Sequence, residues 1–162
     1  MKKVIVIGCP GSGKTTFAEK LSNKTGLSLY HLDAIWHRAD RTHISRDEFD
    51  ARLSELLALD EYIIDGHYSR TLERRIAACD TVVFFDLSTE DCLDGAISRL
   101  GKGRADMPWI DTELDAALEA EIKGFGAEKR QEIYTLLDKY KDGRSTVIFG
   151  SREEADDFLL QL

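Results

Sequence analysis

The stretch Val4-Ile5-Val6-Ile7-Gly8-Cys9-Pro10-Gly11-Ser12-Gly13-Lys14-Thr15-Thr16 decides how the rest of the chain is read. Four consecutive β-branched residues read as a strand buried on both faces. They run directly into the pattern G-x-x-x-x-G-K-[ST], which Gly8 to Thr15 match at every fixed position. Glycines in such a loop let successive backbone N–H groups turn inward around a polyphosphate. Lys14 reaches the β- and γ-phosphates, and the Thr15 hydroxyl can take a place on Mg²⁺. Phe17, Ala18 and Leu21 then recur at helical spacing, so a helix opens at the loop and adds the partial positive charge of its N-terminus. The candidate phosphate-binding residues are therefore Gly8, Pro10, Gly11, Ser12, Gly13, Lys14, Thr15 and Thr16, and the implied ligands are a polyphosphate and Mg²⁺. A glycine turn that binds nothing is the competing reading, and the order strand, loop, helix weighs against it.

Composition narrows the partners. At 162 residues and 43% hydrophobic content, the chain suits one domain with a real core. Thirty acidic against 22 basic residues give a formal charge of −8, which disfavours direct binding to nucleic acid because phosphate contacts need clustered cations. The apolar stretches are strand-sized, and Met1-Lys2-Lys3 leads straight into the first strand, so no membrane span or signal peptide is expected and the predicted location is cytoplasmic. A monomer or a homodimer is expected. Cys9, Cys79 and Cys92 lack metal or disulfide spacing and read as ordinary thiols, although Cys9, beside Lys14 and a helix start, is also a candidate for a lowered pKa.

Further along, β-type runs alternate with 3.6-residue stripes, the signature of βαβ units and a parallel sheet in an α/β fold. Strands are predicted at 27–32, 62–65, 81–86 and 145–149, after the first. Phe49, Leu53, Leu56 and Leu57 form a stripe behind the capping box Ser45 to Glu48, and Leu93, Ile97 and Leu100 form another behind Ser88. Ser151 to Glu154 opens a last helix whose Ala155, Phe158, Leu159 and Leu162 close the core. Residues 101–126 differ. Gly101, Gly103, Pro108, Gly124 and Gly126 surround a short helical stretch near Leu114, Leu118 and Ile122, which predicts a mobile cover. Ligands of open α/β sheets bind beyond the carboxyl ends of the strands, where Asp33, Asp65 and Asp86 fall.

These features resemble the adenylate-kinase-like family of P-loop kinases over nearly the whole chain. The family pattern D-G-F-P-R is similar to Asp65-Gly66-His67-Tyr68-Ser69-Arg70, with one extra residue before the arginine. Within the family, His31-Leu32-Asp33, the run Ile63 to Arg70, Asp106-Met107-Pro108-Trp109 and Ser151-Arg152-Glu153-Glu154-Ala155 resemble the adenylate-kinase-related topology modulation proteins. The resemblance implies a three-layer P-loop NTPase fold with strand order 2-3-1-4-5 and the use of ATP. It further implies an acidic residue at Asp65, lid arginines at Arg99 and Arg104, and a loop carrying Arg152 beside the adenine.

Phosphoryl transfer is mainly positioning and charge neutralisation. Asp65, ending an apolar strand, is a candidate to hold Mg²⁺ or its waters with Thr15, with a turn cap as the alternative. Arg70 is placed to reach the acceptor phosphate or the transferring group, because a guanidinium fork matches phosphate oxygens. Arg99 and Arg104 flank the cover, where surface ion pairs compete with a role over the γ-phosphate. Arg152 either stacks on the base or is a helix-start surface residue. Asp33 takes or orients the proton of a hydroxyl acceptor, orients an acceptor ribose, or caps a helix. Tyr30, Trp36, Tyr68 and Trp109 form either an aromatic wall or core. The expected activity is an ATP- and Mg²⁺-dependent transfer to a small-molecule acceptor, foremost a nucleotide. The alternatives are a hydroxyl acceptor such as a sugar acid or nucleoside, and a nucleotide-binding regulator with an indirect effect on DNA topology.

Overall fold

The computed structural model describes all 162 residues and places a parallel sheet between two helical layers. The strands are β1 (Lys3–Gly8), β2 (Leu29–His31), β3 (Tyr62–Asp65), β4 (Thr81–Phe85) and β5 (Ser145–Phe149), in the order β2-β3-β1-β4-β5. Every pairing is parallel, and the order is the one the family resemblance implied. Second-strand residues were expected over 27–32; the strand itself is three residues long, and Leu32 already begins a short helix.

Alternation along β1 explains the layering. Ile5 and Ile7 enter one core, and Val4 and Val6 the other, all without exposed surface. A strand sends successive side chains to opposite faces, so a run of four apolar residues must be covered twice. One cover is made by α1 (Lys14–Thr25) and α8 (Arg152–Gln161), which contribute Phe17, Leu21, Ala155 and Leu159. Phe17 packs edge-on against Phe85 and Phe149 there, with centroids 5.4 Å apart in both pairs. The other cover comprises α3 (Arg46–Leu57), α4 (Ser69–Ala78), α5 (Thr89–Ser98), α6 (Ala116–Glu128) and α7 (Arg130–Lys139). β2 runs directly into α2 (Leu32–Trp36).

The three expected caps are present: Ser45, Ser88 and Ser151 accept from the N–H groups of Glu48, Asp91 and Glu154 at 3.1, 3.1 and 3.2 Å. The stripe expected on α5 is displaced. Its buried residues are Cys92 and Ala96, whereas Ile97 is half exposed. Small residues face inward because α5 lies against the phosphate loop itself.

The expected cover at 101–126 divides into two parts. Residues 99–115 form an irregular segment closed by the Gly101 N–H donating to the Asp111 carbonyl at 2.7 Å. From Ala116 the chain is helical, and Ile122 and Phe125 are buried in the core. Only the first part lacks regular structure. The second is fixed by apolar burial that its glycines, on the outward side, do not oppose.

Loop and α5 meet backbone to backbone. Gly11 has φ +81°, and a Cβ there would stand 2.0 Å from the Cys92 carbonyl; a Cβ on Gly95 would stand 2.0 Å from the Gly11 carbonyl. Gly95→Ala is therefore expected to push α5 off the loop, lowering stability by about 1–3 kcal/mol and weakening Mg·ATP binding. Denaturant unfolding and calorimetry measure the two effects.

Candidate active site

The loop between β1 and α1 ends at Gly13, the N-cap of α1, which sits at φ +104° and brings no side-chain acceptor to the helix start. Unpaired N–H groups at a helix start favour an anion. Lys14 Nζ donates to the Cys9 carbonyl at 2.8 Å, so the cation is folded over its own loop. Ser12 Oγ is buried without a partner.

Parallel register brings three strand ends together: Val6 aligns with Asp65, and Asp65 with His31. The Thr15 hydroxyl donates to Asp65 Oδ2 at 2.9 Å, and His31 Nδ1 lies 2.9 Å from the same oxygen. Asp106 Oδ2 is 3.4 Å from Thr15 Oγ1 and is itself gripped by Arg104 through two bonds of 2.9 and 2.7 Å. Burial opposes the charge on Asp106, but the Arg104 fork outweighs it and holds the carboxyl below the usual carboxylate range. For His31, burial works against protonation, and the Asp65 carboxylate overcomes it and raises the pKa.

Asp65 Oδ1 is buried and has no partner. An orphaned carboxylate oxygen beside a threonine hydroxyl suits a hard cation. No three His, Cys, Asp or Glu side chains are grouped to chelate a metal on their own, which fits an ion that takes most of its ligands from phosphate and water.

Two cavities meet at this point. The larger, about 640 Å³, runs from Gly11, Gly13 and Thr16 past Glu19, Lys20 and Asp156 to Arg152. The smaller, about 330 Å³, contains Asp33, Trp36, His37, His67, Tyr68 and Asp111. Lys14, Thr15, Arg99, Arg104 and Asp106 line both. Such a junction can hold a phosphoryl group between a donor on one side and an acceptor on the other.

Comparison with known proteins agrees with this geometry. No family model matches the chain. It is 28% identical to the adenylate kinase of Mycolicibacterium smegmatis, covering 90% of this chain and 89% of that one. It is 29% identical to the adenylate kinase of Mycobacterium tuberculosis at the same coverage. The likeness to adenylate kinases, together with the fold, supports a P-loop kinase of adenylate-kinase-like type. Solved structures share its fold. A shikimate kinase from Acinetobacter baumannii in complex with shikimate matches at TM-score 0.61 and 15% identity over 99% of this chain and 90% of that one. A gluconokinase from Sinorhizobium meliloti matches at 0.56 and 16%, covering 99% and 88%. Kinases of this kind use ATP with Mg²⁺.

Most of the residues singled out in the sequence come together in the kinase. Lys14, Thr15, Thr16, Asp33, Asp65, Arg99, Arg104 and Arg152 all line the two cavities. Asp33 accepts from the Tyr68 hydroxyl at 2.7 Å; burial raises its pKa, against that hydrogen bond. Burial and the neighbouring Arg104 lower the pKa of Arg99. Arg152 donates to the Gly11 and Asp91 carbonyls at 2.9 and 2.7 Å, bracing the loop against α5.

Arg70 is not among them. It forks onto Asp50 of α3 at 2.7 and 3.0 Å with its side chain 43% exposed. The extra residue before it, with Tyr68 in the left-handed region at φ +38°, starts α4 with Arg70 turned outward. Asp86 is occupied too, bound by Arg130 and by the Tyr134 hydroxyl at 2.7 Å. The Cys9 thiol is buried against the Ile122 carbonyl at 4.0 Å, and the neighbouring Cys92 thiol and burial push its pKa up, against the lowered value considered for it. Of the aromatic residues, Trp36 and Tyr68 line the smaller cavity, and Trp109 packs edge-on to His37 at 5.2 Å with Arg41 over its ring.

Asp106 escaped the sequence reading as a site residue. Its signal was there, in the Asp106-Met107-Pro108-Trp109 motif, but a loop position gives no hint of a partner 91 residues earlier. Asp65→Asn is expected to reduce the Mg²⁺-dependent part of ATP affinity by about 10- to 100-fold and to leave metal-free nucleotide binding nearly unchanged. Calorimetry with and without Mg²⁺ reads the difference.

Proposed function

We propose that the kinase transfers the γ-phosphate of ATP to a hydroxyl group of a small polar acceptor held in the cavity beside Asp33. The observation that carries this reading is the junction at Lys14, Thr15, Arg99, Arg104 and Asp106, with the half-buried Asp33 carboxylate on its acceptor side and no free arginine beyond it. The triphosphate lies along Gly11, Gly13, Lys14, Thr15 and Thr16, with the base toward Arg152. Thr15 and Asp65 would hold Mg²⁺, which would supply charge neutralisation at the phosphates.

The acceptor oxygen attacks γ-phosphorus, the bond from γ-phosphorus to the bridging oxygen breaks, and ADP leaves. Asp33 receives the hydroxyl proton, and the Tyr68 hydroxyl orients it. Lys14, Arg99 and Arg104 neutralise the equatorial oxygens of the group in transit. The irregular segment 99–115 carries both arginines over the junction and limits the access of water, which would otherwise compete.

Charge favours a hydroxyl acceptor over a phosphate. The smaller cavity has five acidic residues, Asp33, Asp65, Asp106, Asp111 and Glu121, against Lys14, Arg99, Arg104 and Lys129. Arg104 is taken by Asp106 and Lys129 bonds Glu121 at 3.2 Å. A dianionic acceptor would find few cations, and Arg70 faces away. The second reading is a nucleoside monophosphate acceptor, favoured by the relatives, which are adenylate kinases. Under either reading, the likeness to topology modulation proteins fits an indirect effect through the phosphorylated small molecule.

ADP formation measured with nucleosides, sugars, sugar acids and nucleoside monophosphates separates the readings. A rise with a hydroxyl acceptor supports the proposal, and a rise with monophosphates alone supports the second reading. Tight ATP binding with no acceptor-dependent turnover would mark a regulator. With a hydroxyl acceptor, Asp33→Asn is expected to lower kcat by about 10²- to 10⁴-fold. The base works ionised, and burial raises its pKa, so kcat should fall on acidification through a value above the ordinary aspartate range and level off at higher pH. A profile flat down to pH 4 removes Asp33 as the base.

A further inference from the structure

Arg75 is the largest side chain with no exposed surface, although its guanidinium is a cation. Its partners are not carboxylates. They are the carbonyls of Gly66 at 2.8 Å, of His67, and of Tyr68 at 3.1 Å, with the Thr71 hydroxyl at 3.3 Å. Burial lowers its pKa only to about 10, so it stays charged at neutral pH. A charge buried without a counter-ion is costly, and here the cost is offset by hydrogen bonds that all converge on one turn.

The three carbonyls it gathers belong to the turn that leaves β3, and that turn is unusual. Gly66 stands at φ +136° against Leu32, and Tyr68 at φ +38°. A non-glycine residue with positive φ is held there only by its surroundings. Tyr68 is seated by this turn with its ring stacked on Phe49 at 5.2 Å and its hydroxyl on Asp33 at 2.7 Å. The chain of contact runs from Arg75 through the turn and Tyr68 to Asp33, without Arg75 lining either cavity.

We propose that Arg75 is a positioning residue: it fixes the 66–68 turn so that the Tyr68 hydroxyl stays on Asp33 and orients that carboxylate toward the acceptor. A guanidinium fits because its planar fork supplies several donors at fixed angles, enough for three converging carbonyls. Arg70, five residues earlier on α4, looks outward and has no part in this. The inference rests on the reading of Asp33 as the acceptor-side base only for its kinetic consequence; its structural content can be read without any acceptor.

The test is the ¹³C titration of the Asp33 carboxyl in the full chain, assigned with Asp33→Asn. Asp33 faces Lys14, Asp65, Arg99, Arg104, Asp106 and the Tyr68 hydroxyl. Of these, only the Tyr68 contact depends on the turn. A hydrogen bond to a carboxylate favours its charged form, so losing it raises the pKa. Arg75→Met is expected to raise the Asp33 midpoint by about half a unit or more, Arg75→Lys by less, and Tyr68→Phe by as much as Arg75→Met, with Mg·ATP affinity within about twofold of wild type in all three. Turnover with the best of gluconate, adenosine and adenosine monophosphate should drop at least about tenfold in Arg75→Met, with partial rescue in Arg75→Lys.

If Arg75→Met does not fold, Arg75→Lys decides. An Asp33 midpoint unmoved in the folded Arg75 variant, or unmoved in Tyr68→Phe, overturns the proposal. Full turnover in Asp33→Asn with a shifted midpoint in Arg75→Met would instead remove Asp33 as the base and leave the positioning role of Arg75 standing.

Discussion

Asp65 ends a strand whose every residue is buried, and the rest of the site is arranged around what that forces on one carboxylate. An anion in that position must be bonded on several sides. One oxygen is shared by the Thr15 hydroxyl and the His31 ring, both at 2.9 Å, while the other has no protein partner. The first oxygen ties the phosphate loop to the ends of β2 and β3; the second leaves coordination capacity where a cation accompanying phosphates would arrive. Register makes the arrangement unavoidable. With Val6 beside Asp65 and Asp65 beside His31, a one-residue slip would send the carboxylate to the opposite face of the sheet.

The same register depends on a sheet covered on both faces, and the phosphate loop is where this cover is thinnest. At Gly11 and Gly95 there is no room for side chains, so α5 rests on loop backbone rather than on a layer of apolar groups. Arg152 spans the two with bonds to the Gly11 and Asp91 carbonyls. The loop is thereby held from below by α5 and from the side by α8. Loop conformation, α5 position and the segment that follows α5, carrying Arg99 and Arg104, form one mechanical unit.

Much of this was legible in the sequence. The β-branched run Val4 to Ile7, the glycine pattern after it and the three serine caps depend on local chemistry, and each fell where it was expected. What the sequence could not convey is direction. Arg70 and Arg75 both follow Asp65 on the same helix, and the expected contact to substrate was given to Arg70. A left-handed Tyr68 starts α4 at a phase that turns Arg70 out to Asp50 and Arg75 in beneath the turn. The stripe on α5 was misread for a related reason: the best apolar candidates, Leu93 and Ile97, are not what faces a backbone surface that admits only small residues. The 101–126 cover was split because glycine content suggested mobility while Ile122 and Phe125 supplied burial, and burial is the larger effect.

Electrostatics completes the picture of why this acidic protein can attract a polyanion. Two of its three cations at the junction, Lys14 and Arg104, are already engaged. Lys14 is bonded to the Cys9 carbonyl and Arg104 to Asp106, so a triphosphate binds by exchanging these partners rather than by adding new ones, and its affinity is the difference between the two sets. Releasing Arg104 leaves Asp106 charged and 2% exposed, beside Thr15, a penalty that a divalent cation next to Asp65 would offset. Nucleotide without metal would have to bear that penalty alone. With arginine, aspartate and threonine meeting at one point, phosphate and metal at this site would favour each other, a consequence of Asp106 lying within reach of both the 99–115 segment and the loop.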